Sequence, residues 1–325
     1  MILVTGGAGY IGSHVVRQLS EAGHEVIVYD NLSTGFTDAL IHGEKLIVGD
    51  LADSKSLETV FQNNKFGAVF HFAASIVAPE SVTDPLKYYT NNTANTLQLI
   101  KTCVLHNVHK FVFSSTAAVY GEPASGIASE DTLSAPMNPY GLSKLMSEWF
   151  LRDTSTAHGL RYVALRYFNV AGADPLGRIG QRTPDATHLI KVCCQAALGK
   201  RKSVSIYGTD YPTPDGTGVR DYIHVEDLAS AHLAALDYLA KSNQQPVTLN
   251  VGYGHGNSVR EVIKAVKEIS GIDFKVVEAL RRVGDPAKLV SKTDKIKKIL
   301  NWQPRRDDLN TIVTDAWQWE IKQQN

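Results

Sequence analysis

The segment MILVTGGAGYIGSHVVRQL, residues 1–19, sets Gly6, Gly9 and Gly12 between an apolar run that reads as a strand and a run that reads as a helix. This G-x-x-G-x-x-G spacing constrains the fold, because glycine permits the tight turn and lets backbone approach a ligand closely. The helix that follows points its free N–H groups and positive end at an anion such as a pyrophosphate. Tyr10 and Ile11 stand at its start and belong to the same candidate cofactor site.

A second check lies about 20 residues on, where Asp30 ends the apolar run EVIVYD. A carboxylate there binds both hydroxyls of an adenosine ribose and repels the 2′-phosphate of NADP, so NAD is the expected cofactor. The alternative is a turn aspartate in YDNLSTG. Asn31 follows it in the same candidate site. Asp50, in GDL with Leu51 beside it, either hydrogen-bonds the adenine or caps a helix.

The first half alternates short apolar runs with longer amphipathic ones: MILVT, a helix from about Ile11, EVIVYD, KLIVGD, AVFHFAA, a long helix near 86–106, and KFVFSS. This order predicts an α/β fold with a Rossmann-type, doubly wound parallel sheet whose ligands bind at the carboxyl ends of the strands. After RYVALRYFN the pattern loosens, with one helix expected near 186–199. RDYIHVEDLASAHLAALDYL and TLNVG then return to the main sheet. Residues 1–169, with 219–252 returning to them, form the expected NAD-binding domain. Residues 170–218 and 253–325 form a smaller C-terminal α/β lobe for substrate, packed across a cleft.

Lys plus Arg and Asp plus Glu each total 33, so no global field draws nucleic acid or an anionic membrane, and an anionic ligand must be held by local residues. The three cysteines, two of them adjacent, outline no disulfide framework. There is no leader-like start and no run of about 18 apolar residues. A cytoplasmic protein without a membrane partner is the expectation.

NPYGLSKLMSEW, residues 138–149, reads as a helix start, with Asn138 as cap and Pro139 in the first turn. Leu142, Leu145, Met146 and Trp149 form the expected buried stripe, leaving Tyr140, Lys144 and Glu148 on another face. That face reads either as a surface Lys144–Glu148 pair or as an acid–base device. Removing hydride from a secondary alcohol requires a base for the hydroxyl proton. A phenol becomes such a base when a nearby ammonium, here Lys144, and a positive nicotinamide lower its pKa. In FSSTAAVYG, Thr116 is a hydroxyl placed to orient the substrate.

These stretches, with FHFAA, YYTNN, LRYFNVAGA, GTGVRDYIHVEDLA and RRVGDPA, resemble in order and nearly end to end the extended short-chain dehydrogenase/reductase family, in its nucleotide-sugar 4-epimerase branch. The resemblance implies a catalytic trio of Thr116, Tyr140 and Lys144. It implies cofactor contacts from Phe72, Ala73, Ala74, Asn91, Ser114 and Phe168. Asn169, His188, Leu189, Ser205, Tyr207, Arg220, Arg282 and Asp285 would surround the UDP group of UDP-galactose or UDP-glucose. The two arginines present planar forks suited to a diphosphate. No metal is implied. A homodimer is, through the helices near 86–106 and 140–157.

Three positions depart from the pattern: Ile76 where some members carry lysine, His188 where some carry asparagine, and Leu289 where residue size bears on whether an N-acetyl group fits. Other UDP-sugars, such as glucuronate, pentoses or N-acetylhexosamines, therefore stay open as substrates. A dehydratase is disfavoured, because Ala117 and Ala118 stand where related dehydratases carry an acidic pair for elimination. A non-catalytic NAD-binding protein need not keep the trio.

Overall fold

The computed structural model describes residues 1–184, 186–282 and 284–324. Its first half contains β1 (Ile2–Thr5), α1 (Tyr10–Glu21), β2 (Val26–Asp30), β3 (Lys45–Val48), α2 (Ser54–Asn63), β4 (Ala68–His71), α3 (Ala78–Thr83), α4 (Pro85–Tyr88), α5 (Asn95–Leu105), β5 (Lys110–Thr116), β6 (Ile127–Ala128), α6 (Pro139–His158) and β7 (Arg161–Tyr167). The remainder adds β8 (Asn169–Ala171), α7 (Leu189–Ala197), β9 (Val204–Tyr207), β10 (Val219–Arg220), β11 (Tyr222–His224), α8 (Val225–Ala240) and β12 (Val247–Val251). It closes with β13 (Asn257–Ser258), α9 (Val259–Ser270), β14 (Val276–Ala279), β15 (Lys288–Ser291), α10 (Asp294–Leu300) and α11 (Leu309–Lys322).

Seven parallel strands form the main sheet in the order β12-β7-β5-β4-β1-β2-β3. The order runs away from β1 in both directions, which opens a crevice beyond the carboxyl ends of β1 and β4. The inner strands are apolar throughout because helices cover both faces. On one face Val15, Val16 and Leu19 of α1 join Leu228 and Ala235 of α8. On the other Leu57 and Phe61 of α2, Leu99 and Cys103 of α5 and Leu151 of α6 form a second core.

Two features differ from the sequence reading. The helix expected near 86–106 is interrupted between α4 and α5 by a π-helical stretch, Tyr89–Ala94. Such bulges widen the helix and often mark functional positions. In addition, β6 pairs with β15 in a small sheet of order β13-β10-β15-β6, stitching residues 127–128 to the C-terminal segment. No helix among the described residues is long and apolar enough to cross a membrane.

Candidate active site

A cavity of about 840 Å³ occupies the crevice, walled by the turns after β1, β2, β4 and β5, the start of α6 and the C-terminal segments. At one end stands the glycine turn. Gly6 has φ +73°, and a Cβ there would lie 2.5 Å from the Ala73 amide nitrogen. A Cβ on Gly12 would meet the Gly6 carbonyl oxygen at 2.2 Å. Any other residue at either position would push the turn apart. Gly9 precedes α1 in extended conformation without a side-chain cap, so the first-turn amides of Tyr10, Ile11 and Gly12 remain available to a ligand.

Asp30 lies on the cavity wall and holds this turn in place. Its Oδ2 accepts the Ala8 amide at 3.0 Å and its Oδ1 the Leu32 amide at 2.8 Å. Burial lifts its carboxyl above the ordinary range, opposed by these two amide bonds. Asn31 donates to Asp50 Oδ2 at 2.8 Å, which fixes a second carboxylate at the same end. Asp50 does not cap α2: that cap is Asp53, which accepts the Lys55 and Ser56 amides. Leu51 is buried in the second core while reaching the cavity. A donor turn for a pyrophosphate beside carboxylates for a ribose suits NAD, so the side chains present fit that cofactor.

Phe72, Ala73, Ala74 and Asn91 line the middle of the cavity. Asn91, carried by the π-helical stretch, donates to Ser75 Oγ at 3.0 Å. At the floor, β5 delivers Ser114 and Thr116 and α6 delivers Tyr140. The helix starts as its sequence predicts: Asn138 Oδ1 accepts the Gly141 amide at 2.9 Å, with Pro139 next. Burial pushes the Tyr140 phenol above its usual pKa, partly offset by a hydrogen bond with Thr116. Lys144 donates from Nζ to the Ser114 carbonyl at 2.9 Å and lies 5.0 Å from the Phe113 ring centroid. Burial brings its ammonium down to about 7, against the attraction of Glu148.

One expectation about this helix is corrected. Lys144 and Glu148 face inward, 2 % and 6 % exposed, whereas Trp149 is 43 % exposed. The polar face packs because α6 lies on β5 and β7, where Arg166 binds Glu148 through Nε at 2.9 Å and Nη2 at 2.5 Å. The Lys144 ammonium donates to the Ser114 carbonyl, and desolvation is the largest influence on the Tyr140 phenol.

Phe168, Asn169, His188, Arg220, Asp285 and Leu289 line the opposite end. Arg220 lies on β10 with one guanidinium N–H bonded to the Val219 carbonyl at 2.9 Å. At the rim, Arg282 stacks 4.6 Å from the Tyr207 ring centroid and binds Asp285 Oδ2 at 2.7 Å. Five proposed residues do not form the wall: Lys144 lies beneath it, Tyr207 and Arg282 at the rim, Ser205 along β9, and Leu189 packs into the main core at the start of α7. Ile76 is on the wall and exposed, so no cation occupies that position.

The sequence reading missed Ser33, Thr34, Ser75, Gln181, Thr183 and Pro184, all on the wall. Ser33 and Thr34 were accessible to it as the continuation of the loop after Asp30. Gln181 carries no local signal; only the tertiary structure sets its Nε2 2.9 Å from His188 Nδ1. Among the described residues no His, Cys, Asp and Glu group is arranged to hold a metal. The arrangement is an anion cradle at one end, guanidinium groups at the other, and between them a phenol and hydroxyl able to exchange a proton with a secondary alcohol.

Comparison with known proteins agrees with this geometry. Residues 2–252 match the NAD dependent epimerase/dehydratase family. A UDP-glucose 4-epimerase of Azospirillum brasilense is 54 % identical over 319 residues, covering 98 % of this chain and 91 % of that protein. The UDP-Glc/GlcNAc 4-epimerase of Campylobacter jejuni superimposes with TM-score 0.87 and 52 % identity, covering 99 % of each chain. The UDP-glucose 4-epimerase of Bifidobacterium longum, in complex with NAD+ and UDP, gives TM-score 0.95 and 38 % identity, covering 100 % of this chain and 99 % of that one.

Proposed function

This chain belongs to the NAD dependent epimerase/dehydratase family, and from that premise we infer that it is an NAD-dependent enzyme interconverting UDP-galactose and UDP-glucose at C4. The observation that carries the reading is the placing of Thr116 and Tyr140, with Lys144 behind them, between the glycine cradle and the Arg220–Asp285 end of one cavity. Full-length similarity to UDP-glucose 4-epimerases supports it.

NAD, when bound, would supply an acceptor for the C4 hydride and a positive ring that favours phenolate. Tyr140 Oη takes the 4-hydroxyl proton and gives it back to the ketone oxygen of the 4-keto sugar. Thr116 orients the substrate oxygen toward the phenol. Lys144 holds the Ser114 carbonyl and, when charged, favours phenolate. Gly6, Gly9, Gly12, Tyr10 and Ile11 hold the pyrophosphate of NAD, and Asp30, Asn31, Asp50 and Leu51 its adenosine. Phe72, Ala73, Ala74, Asn91, Ser114 and Phe168 enclose the rest. Arg220, Asp285, Asn169 and His188 on the wall, with Tyr207 and Arg282 at the rim, grip UDP and leave the hexose free to turn over, as exchange of its two faces requires.

Two further parts of the reading concern assembly and location. The enzyme acts as a homodimer: Leu97 of α5 and Trp149 of α6 are large exposed apolar groups on helices that pack together, a face suited to a second copy. A division near 169/170 with a returning segment is supported by the main sheet, which takes β12 but none of β13–β15, although 169/170 itself falls within β8 and β10 joins the small sheet rather than the main one. The cytoplasm is its compartment, in keeping with three unpaired, buried cysteines.

The test is turnover of UDP-galactose to UDP-glucose by the purified protein without added reductant, followed by chromatography of the nucleotide sugars. Absence of interconversion with NAD bound would defeat the assignment. Light scattering at micromolar concentration should give twice the 35.5 kDa chain mass.

A further inference from the structure

Two loops from opposite sides of the cavity meet at its rim. One follows Asp30 and contributes Ser33 and Thr34 to the wall; the other precedes α7 and contributes Gln181, Thr183 and Pro184. Arg182 joins them. Its Nη1 and Nη2 donate to the two oxygens of Asp38 at 2.9 and 2.6 Å, and its guanidinium lies 4.1 Å from the Phe36 ring centroid. A bidentate carboxylate pair and a ring against one face engage the planar guanidinium in a way that an ammonium could not.

The loop gripped in this way is also seated on the glycine turn. The Phe36 amide donates to the Ala8 carbonyl at 3.0 Å, and a Cβ on Gly35 would lie 2.9 Å from the Ala8 Cβ. Ala8 in turn is held by Asp30. Movement of residues 33–38 away from the cavity therefore breaks the Arg182 contacts and the Ala8 contact together. None of these groups is required to touch the reacting carbon, so their concentration at the rim of the cofactor end calls for another role.

We propose that Arg182, by bridging Phe36 and Asp38 across the rim, is a positioning residue that retains the dinucleotide from one turnover to the next. Retention matters for this chemistry. A cycle that removes and restores one hydride leaves no net redox change, so escape of the reduced cofactor strands the protein until it is reloaded.

The latch is tested on NAD-loaded protein by strong dilution and ultrafiltration, following NAD in the filtrate with time. Arg182→Ala should release NAD about tenfold faster, the scale of losing a bidentate pair together with a guanidinium–ring contact, and Asp38→Ala, which keeps the ring contact, about threefold faster. Asp38 is 71 % exposed at its side chain, so its removal leaves the fold in place. The double variant Arg182→Asp with Asp38→Arg restores the pair with reversed polarity and should slow release below that of either single variant, which a merely structural site would not do. High salt should speed release from the parent more than from Arg182→Ala. Parental release by either single variant, or a charge swap no slower than the single variants, overturns the proposal.

Discussion

Lys144 Nζ lies 2.9 Å from the carbonyl oxygen of Ser114, two residues before Thr116 on the same strand. The bond ties the fourth residue after Tyr140 on α6 to the strand that carries the candidate hydroxyl. The spacing of phenol and hydroxyl is thereby set by packing of helix on sheet rather than by either segment alone.

Tyr140→Phe separates the phenol's chemistry from its packing. Loss of the proton carrier should lower kcat by roughly 10²–10⁴-fold while KM changes little, because the UDP-binding groups are untouched. Melting should move by no more than about 1 kcal/mol in stability. A folded variant that epimerises at the parental rate removes Tyr140 from the mechanism.

Lys144→Met should abolish most turnover and change how stability depends on pH. The folded-state pKa of Lys144 is about 7, below its ordinary value of 10.5, so the unfolded chain binds more protons between those limits. Parental stability therefore rises from this group as pH goes from 7 toward 10. A variant lacking the amine misses that rise. Melting of the NAD-free proteins at pH 7 and 10 should show the variant losing ground to the parent at the higher pH; a constant difference would contradict the buried ammonium.

Glu148→Ala distinguishes the two readings of the polar face of α6. An exposed Lys144–Glu148 pair would be worth a few tenths of a kcal/mol. Removing a carboxylate from the buried Arg166 fork leaves an unpaired guanidinium and should cost ~3–5 kcal/mol. Denaturant unfolding decides between them, and a midpoint near the parent's would reject the buried pair.

Leu289 bears on substrate range. It is buried in a cluster with Phe168 and Leu145 while reaching the cavity, so on the proposed function its size should limit the room for an N-acetyl group. Plain hexoses should be turned over in preference to N-acetylated ones. Leu289→Ala should narrow that preference and Leu289→Tyr widen it, read as the ratio of kcat/KM for UDP-galactose and UDP-N-acetylgalactosamine. Equal turnover by the parent would reject the argument.

The sequence alone determined the strand–glycine turn–helix unit, the parallel character of the main sheet and the start of α6, because each is written in short stretches of neighbouring residues. Backbone clearance dictates glycine, apolar runs dictate buried strands, and Asn138–Pro139 dictate a helix start. It also set Gly6 and Asp30 at one end of a single cavity, since a single βαβ unit carries both. The tertiary structure decided what depends on partners distant in the chain. Periodicity on α6 pointed the apolar stripe inward, and only Arg166, on β7, turned Glu148 into a core residue. The interrupted helix around Asn91, the placing of Gln181 beside His188 and the meeting of Arg182 with Asp38 are likewise absent from any local pattern. The physical reason is range: turn and helix preferences act over a few residues, whereas the desolvation and pairing that set these groups arise only when remote elements exclude water together.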